Sequence, residues 1–180
     1  MYIMLSWVAF PAQPVLTAGE LVIRPWRLSD VDAVVAAFQD PAIQRWHVRT
    51  MTPAQARDWI RSWADRWTAG SGADWAVTDS DRVVGHVGFR RIDGGCAGIS
   101  YWTLPAARGR GVAGRAAVAA STWGFERLGL HRLQLEHSTV NVASCRVAVK
   151  AGFVAEGVAR SSGLHADGWH DMHVHARIAD

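Results

Sequence analysis

The chain has 180 residues, of which 49% are apolar and 19% charged. That suits one soluble globular domain with a full core and excludes a disordered chain. No apolar run reaches the roughly 18–20 residues of a membrane helix, so no membrane partner is expected. The formal net charge is +3 and the isoelectric point about 9.4, but Lys150 is the only lysine. The positive charge is scattered arginine without an RNA-reading motif, so direct nucleic-acid binding is not expected. The two cysteines, Cys96 and Cys145, cannot build a disulfide framework. A reducing, cytoplasmic setting follows as the default.

In chain order, Met1 to Phe10 is apolar but lacks a basic leader, and reads as a short arm or edge segment. The expected boundaries are an arm over 1–20 and a single domain over 21–180. Leu21–Arg24, closed by Pro25, reads as the first strand. Ser29 or Asp30 is a good N-cap for an amphipathic helix carrying Val31, Val34, Val35 and Phe38, which Asp40-Pro41 breaks. Thr52 caps a second helix with Pro53 at its first position and Gly70 past its end. Within it Trp59, Trp63 and Trp67 repeat every four residues, a stripe that packs a helix onto a sheet.

Three strands follow, Asp74–Thr78, Val83–Arg91 and Ala97–Leu104, separated by Asp-Ser-Asp and Asp-Gly-Gly turns, an antiparallel meander. A glycine and arginine loop leads into a helix from Val112 to Leu128. Arg132–His137 alternates as a strand, and Asn141 caps a short helix to Lys150. Phe153–Arg160 and Trp169–Ile178 read as two last strands around a turn at Asp167-Gly168. The order β-α-α-β-β-β-α-β-α-β-β gives an α/β (α+β) fold with a mixed, mostly antiparallel central sheet and flanking helices.

The loop Arg108-Gly109-Arg110-Gly111-Val112-Ala113-Gly114 carries the clearest chemistry. Glycines let the backbone approach an anion, and the free N–H groups of a helix start point at it. A pyrophosphate is the natural occupant, and Arg108 and Arg110 offer charge-assisted contacts. Gly109, Gly111 and Gly114 also fit a dinucleotide fingerprint, with Glu136 about 20 residues on. That fingerprint requires a buried strand running straight into the first glycine, whereas here Pro105 and two alanines intervene.

The same loop resembles the coenzyme A loop of the GNAT superfamily of N-acetyltransferases. The resemblance extends to Leu21–Leu28 with Ser29-Asp30, to Gly85-His86-Val87-Gly88-Phe89, and to Ile99–Pro105 as a splayed fourth strand. Asn141-Val142-Ala143-Ser144, Ala151-Gly152-Phe153 and Glu156-Gly157 are similar to the RimJ/RimL-like ribosomal-protein branch. The resemblance implies a GNAT fold and acetyl transfer from acetyl-CoA, the co-substrate, to a primary amine by direct attack in a ternary complex. It implies that the pantetheine arm pairs with Trp102, Thr103 and Leu104, that Asn141 contacts the coenzyme, and that Ser144 is the acid for the leaving sulfur. The Trp102 side chain reads as core more readily than as a cofactor floor.

The pattern departs at the base. Gly163 and Gly98 stand where this branch commonly carries carboxylates; Glu136, His137 and His165 are the candidates by position, and a water relay or no dedicated base stays equally open. His165, His170, His173 and His175 crowd the end of the chain, yet no cysteine or carboxylate completes a recognised ligand spacing, so no metal is expected. Trp46, His47 and Arg49 lie in a breaker-rich connection and form a candidate basic substrate lip. Such a lip suits an acidic peptide better than a polycation. The acceptor is then a protein N-terminus or a small amine. Exposed tryptophan and a late hairpin leave room for a homodimer. Two alternatives stay open at this point: a non-catalytic acyl-CoA-binding module of the same fold, and a nucleotide-binding Rossmann protein.

Overall fold

A computed structural model describes residues 12–179; the apolar stretch 1–10 read as an arm lies outside the described residues. Strands β1 (Leu16–Ala18), β2 (Leu21–Pro25), β3 (Gly72–Asp79), β4 (Arg82–Asp93), β5 (Cys96–Thr103), β6 (Arg132–Ser138), β7 (Val154–His165) and β8 (Gly168–Ile178) form one sheet. Its order is β1-β2-β3-β4-β5-β6-β8-β7. Helices α1 (Val31–Gln39), α2 (Pro41–His47), α3 (Pro53–Thr68), α4 (Val112–Glu126) and α5 (Val142–Lys150) flank it. Every ladder is antiparallel except β5 with β6.

The helix starts show which local signals decide structure. Thr52 Oγ1 accepts from the Gln55 N–H at 3.3 Å, and Gln55 Oε1 accepts from the Thr52 N–H at 2.8 Å, a reciprocal box that begins α3 as expected. The tryptophan stripe packs inward from there: Trp63 and Trp67 are buried, and Trp67 meets Trp75 and Trp123. At Asp30 the structure differs from expectation. Its carboxylate does not cap α1; Arg24 takes it in a buried bidentate pair at 2.7 and 2.9 Å, and the Arg27 N–H donates to it at 2.8 Å. A guanidinium fork is the stronger partner.

A second difference is α2. Asp40-Pro41 ends α1 and also begins another helix, because the Asp40 side chain accepts from the Ile43 N–H at 3.0 Å and proline suits the first helical position. Trp46 and His47 therefore sit on the last turn of a helix, not in an irregular connection. A third is β1, which adds a short antiparallel strand beside β2 within the stretch read as an arm.

Two apolar cores lie on the sheet. One joins α4 and α5 to Leu21, Trp75, Val87, Phe89, Leu133 and Leu135. The other joins α1, α2 and α3 to Trp102. Trp102 is thus core, as read.

Candidate active site

The site begins where the sheet comes apart. β4 and β5 stay paired from Gly85 opposite Thr103 to Arg90 opposite Gly98. β5 and β6 pair only from Cys96 opposite Arg132 to Gly98 opposite Gln134, and then diverge. Ile99 to Thr103 consequently has no strand partner on its β6 side, which leaves backbone polar groups facing a cleft. The cleft encloses about 1450 Å³ and runs from the start of α4 to the β7–β8 hairpin. This is the splayed strand of the sequence reading, the fifth by position in the sheet.

At one end stands α4, a helix of 15 residues whose N-cap is Gly111, in the left-handed region at φ +72°. Gly109 is likewise left-handed at φ +78°. Neither position suits a side chain, and no side chain caps the helix, so its first N–H groups are free to meet an anion. The arginines of the loop are already paired. Arg108 binds Asp40 and donates from Nε to the Thr103 carbonyl at 3.2 Å; Arg110 binds Asp79 at 2.6 Å; Arg115 binds Glu20 at 2.7 Å. These guanidinia hold the carboxylates of Asp40, Asp79 and Glu20 below their usual range, although burial opposes this at Asp40.

In the middle of the cleft, Asn141 Oδ1 accepts from the Ser144 N–H at 3.1 Å and starts α5. The Tyr101 hydroxyl donates to the Ser144 carbonyl at 3.4 Å, tying β5 to α5 across the gap. Burial pushes that phenol up to about 12, so it stays protonated.

At the far end the late hairpin meets α2. Ser138 Oγ lies 2.7 Å from His170 Nδ1, and His170 Nε2 lies 3.0 Å from Asp167 Oδ1. Arg45 holds the other Asp167 oxygen at 3.1 Å. His165 Nδ1 is 3.2 Å from the Trp46 carbonyl, which fixes its tautomer as a donor on that side. Burial lowers the pKa of His165. His47 is pushed down to about 4, first by burial and then by the nearby charges of His86 and Arg90, so it is neutral at physiological pH.

The structure brings most of the sequence candidates to this cleft. Trp102, Thr103, Arg108, Gly109, Gly111, Val112, Ala113, Gly114, Glu136, His137, Asn141, Ser144, Trp46 and His47 line it. Leu104, Arg110 and Arg49 stand outside that lining: Leu104 packs in the α1–α3 core, and the Arg49 guanidinium sits 6.0 Å from the Phe38 ring. Glu136 is exposed at the rim, beside the Gln134 amide. Sequence reasoning missed Ser138 and Asp167, and saw His170 only as a metal candidate. The one local signal was an aspartate three residues before a histidine across a tight turn.

Comparison with known proteins now bears on the cleft. A family model for the acetyltransferase (GNAT) domain matches residues 20–154. The N-acetyltransferase YoaA of Bacillus subtilis is 29% identical over 153 residues, 82% of this chain and 86% of that protein. The ribosomal-protein-serine acetyltransferase of Escherichia coli is 28% identical over 106 residues, 58% of this chain and 59% of that one. Among solved structures, RimL, a ribosomal L7/L12 alpha-N-protein acetyltransferase in complex with coenzyme A, superposes with a TM-score of 0.86 at 20% identity, covering 93% of this chain and 99% of that one. The microcin C7 self-immunity acetyltransferase MccE, in complex with acetyl-CoA and AMP, gives 0.79 at 17% identity over 89% and 93%.

The chain belongs to the GNAT acetyltransferase family. Its mostly antiparallel sheet removes the Rossmann alternative, which needs a doubly wound parallel sheet. Within this GNAT fold the missing carboxylate has a packing counterpart. A Cβ on Gly163 would stand 2.4 Å from Met172 Sδ, and Met172 lines the cleft. A methionine thus fills the space beside the glycine at which the resemblance implies an acid. Among the described residues no helix is long and apolar enough to cross a membrane.

Proposed function

We propose that this chain moves an acetyl group from acetyl-CoA to a primary amine, such as a protein N-terminus, within a ternary complex. The observation that carries this reading is the continuous gap between β5 and β6, with an uncapped helix start at one end and the Ser138–His170–Asp167 chain at the other. The N–H groups of Gly109 to Gly114 bind the pyrophosphate, with Arg108 beside them. The free edge of β5 at Trp102 and Thr103 orders the pantetheine arm and supplies an N–H toward the thioester oxygen. The amine nitrogen bonds to the thioester carbon as the carbon–sulfur bond breaks. Ser144, held at the start of α5 by Asn141, gives its proton to the leaving thiolate and regains one from solvent, to which His170 returns the amine proton as the products leave.

The amine proton passes to Ser138 Oγ, which hands its own to His170, and Asp167 stabilises the resulting imidazolium. Glu136 at the rim and Arg45 with Trp46 on α2 orient the acceptor. With β1 part of the sheet, the domain begins before residue 21 and acts as one cytoplasmic acetyltransferase, and the exposed hairpin would serve a homodimer.

Screening acetyl-, propionyl- and succinyl-CoA against acidic peptides and small amines tests this through release of free thiol. Amine-dependent release is expected. Tight coenzyme binding with no release for any pair would instead support the second reading, a non-catalytic acyl-CoA-binding module, which the glycines at 98 and 163 favour.

A further inference from the structure

Behind β6 lies a second cluster of histidines that the acyl-transfer chemistry does not use. His137 and His173 stand directly opposite each other in the β6–β8 ladder, and His175 follows two residues on, on the same face. α5 covers that face and brings Cys145 to it. One ligand atom from each of His137, Cys145, His173 and His175 lies within 4.8 Å of the other three. We propose that these four side chains form a closed binding site for a divalent transition-metal ion, zinc by its donor set.

The orientation of the rings supports this. His137 Nδ1 lies 2.9 Å from the Ser138 carbonyl. It must donate there, which leaves Nε2 as a lone pair. That Nε2 faces His175 Nε2 at 3.2 Å. Two imidazoles that meet nitrogen to nitrogen can share one proton or one metal. With a shared proton, His175 carries its hydrogen on Nε2 and gives up the bond its ring would otherwise donate to the Phe153 backbone. His173 Nδ1 is a buried atom without a hydrogen-bond partner. Orphaned buried acceptors are costly, and a metal removes the conflict by using both facing lone pairs.

One edge already has the spacing of a bound ion, and the others, within 4.8 Å, close further on binding. Zinc–nitrogen bonds of about 2.0–2.1 Å give tetrahedral edges of about 3.3–3.4 Å, and the His137–His175 edge is 3.2 Å. The carbonyl that orients His137 is the usual outer partner of a ligating imidazole. Imidazole and thiolate donors with no carboxylate select zinc or a similar ion over magnesium or calcium. Four protein donors leave no open position, so the ion would be structural. It would clamp α5 to the β6–β8 ladder and thereby fix Ser144, next to Cys145, and Ser138, next to His137. The spacing rules applied to the sequence could not find this site, because its ligands come from three elements.

Cobalt is the probe. In full-length Cys96→Ser protein stripped with a chelator, Cys145 is the only thiol. Titration with Co²⁺ alone is expected to saturate at one equivalent, with a near-ultraviolet thiolate-to-cobalt charge-transfer band and intense tetrahedral visible bands. Zinc should abolish both. Adding Cys145→Ser should remove the charge-transfer band, and His173→Gln should weaken cobalt binding at least tenfold, each with an unchanged far-ultraviolet dichroism spectrum. No charge-transfer band in the folded Cys96→Ser protein would overturn the site, as would a band that survives Cys145→Ser.

Discussion

Two aspartate–histidine pairs lie on this sheet, and they differ in one respect. Asp74 and His86 meet at 3.1 Å with side-chain exposures of 0% and 1%. Asp167 and His170 meet at 3.0 Å with exposures of 45% and 15%. The first pair is sealed under Trp26, Trp59 and Trp102, and the Trp26 indole N–H donates to the same Asp74 oxygen at 2.7 Å. A Cβ on Gly88 would come within 2.2 Å of the other Asp74 oxygen. The second pair leads through Ser138 into the cleft. The same two residue types are sealed in the core in one place and partly exposed at the late hairpin in the other, where the proposed mechanism uses them to take up a proton.

The largest expected effect breaks the sealed pair. Asp74→Ala leaves the Trp26 N–H and His86 buried without their acceptor. It should cost about 3–5 kcal/mol of stability by urea unfolding. A loss under about 1 kcal/mol would mean the pair holds nothing.

The open pair should behave in the opposite way. His170→Ala is expected to lower kcat about 10²–10³-fold while coenzyme binding stays the same. His165→Ala should lower kcat less than about tenfold, since burial first, and then the charge of His170, disfavour its charged form. If the two variants rank the other way, the base is His165.

Gly114 sits in the first turn of α4, and a Cβ there meets nothing within 4 Å. Gly114→Leu should therefore leave folding intact, because leucine favours helix, while its side chain enters the coenzyme end of the cleft. A rise in coenzyme Kd of about tenfold or more is expected, worth about 1.4 kcal/mol. Arg110, turned to Asp79 outside the lining, should matter less: Arg110→Ala is expected to shift that Kd less than about threefold.

A further effect is on pH. His47 titrates at about 4 when folded against 6.5 for a free imidazole. A depressed folded pKa means that its contribution to stability is complete above pH 6.5 and is lost as pH falls toward 4. Urea unfolding at several pH values should show this slope, and His47→Gln should flatten it.

Local signals account for what could be read in advance. The α3 start was legible because Thr52, Pro53 and Gln55 are near neighbours that act on one another. The coenzyme loop was legible because its glycines and the following helix are contiguous. Asp30 misled because its partner, Arg24, lies on another element, and Asp40-Pro41 misled because one dipeptide can end a helix and start the next. The Ser138–His170–Asp167 chain was hidden because it depends on the β6–β8 register and on how the hairpin turns back toward α2. No spacing along the chain encodes either.

In the proposed function, acyl-CoA binds and reacts in the gap between β5 and β6. Hydrogen–deuterium exchange with and without coenzyme A tests it most directly. Slowed exchange is expected at the backbone amides of 99–104 and 109–115 on adding coenzyme, with the β3–β4 hairpin unchanged. Equal exchange in both segments at saturating coenzyme, or protection confined to other parts of the sheet, would contradict it.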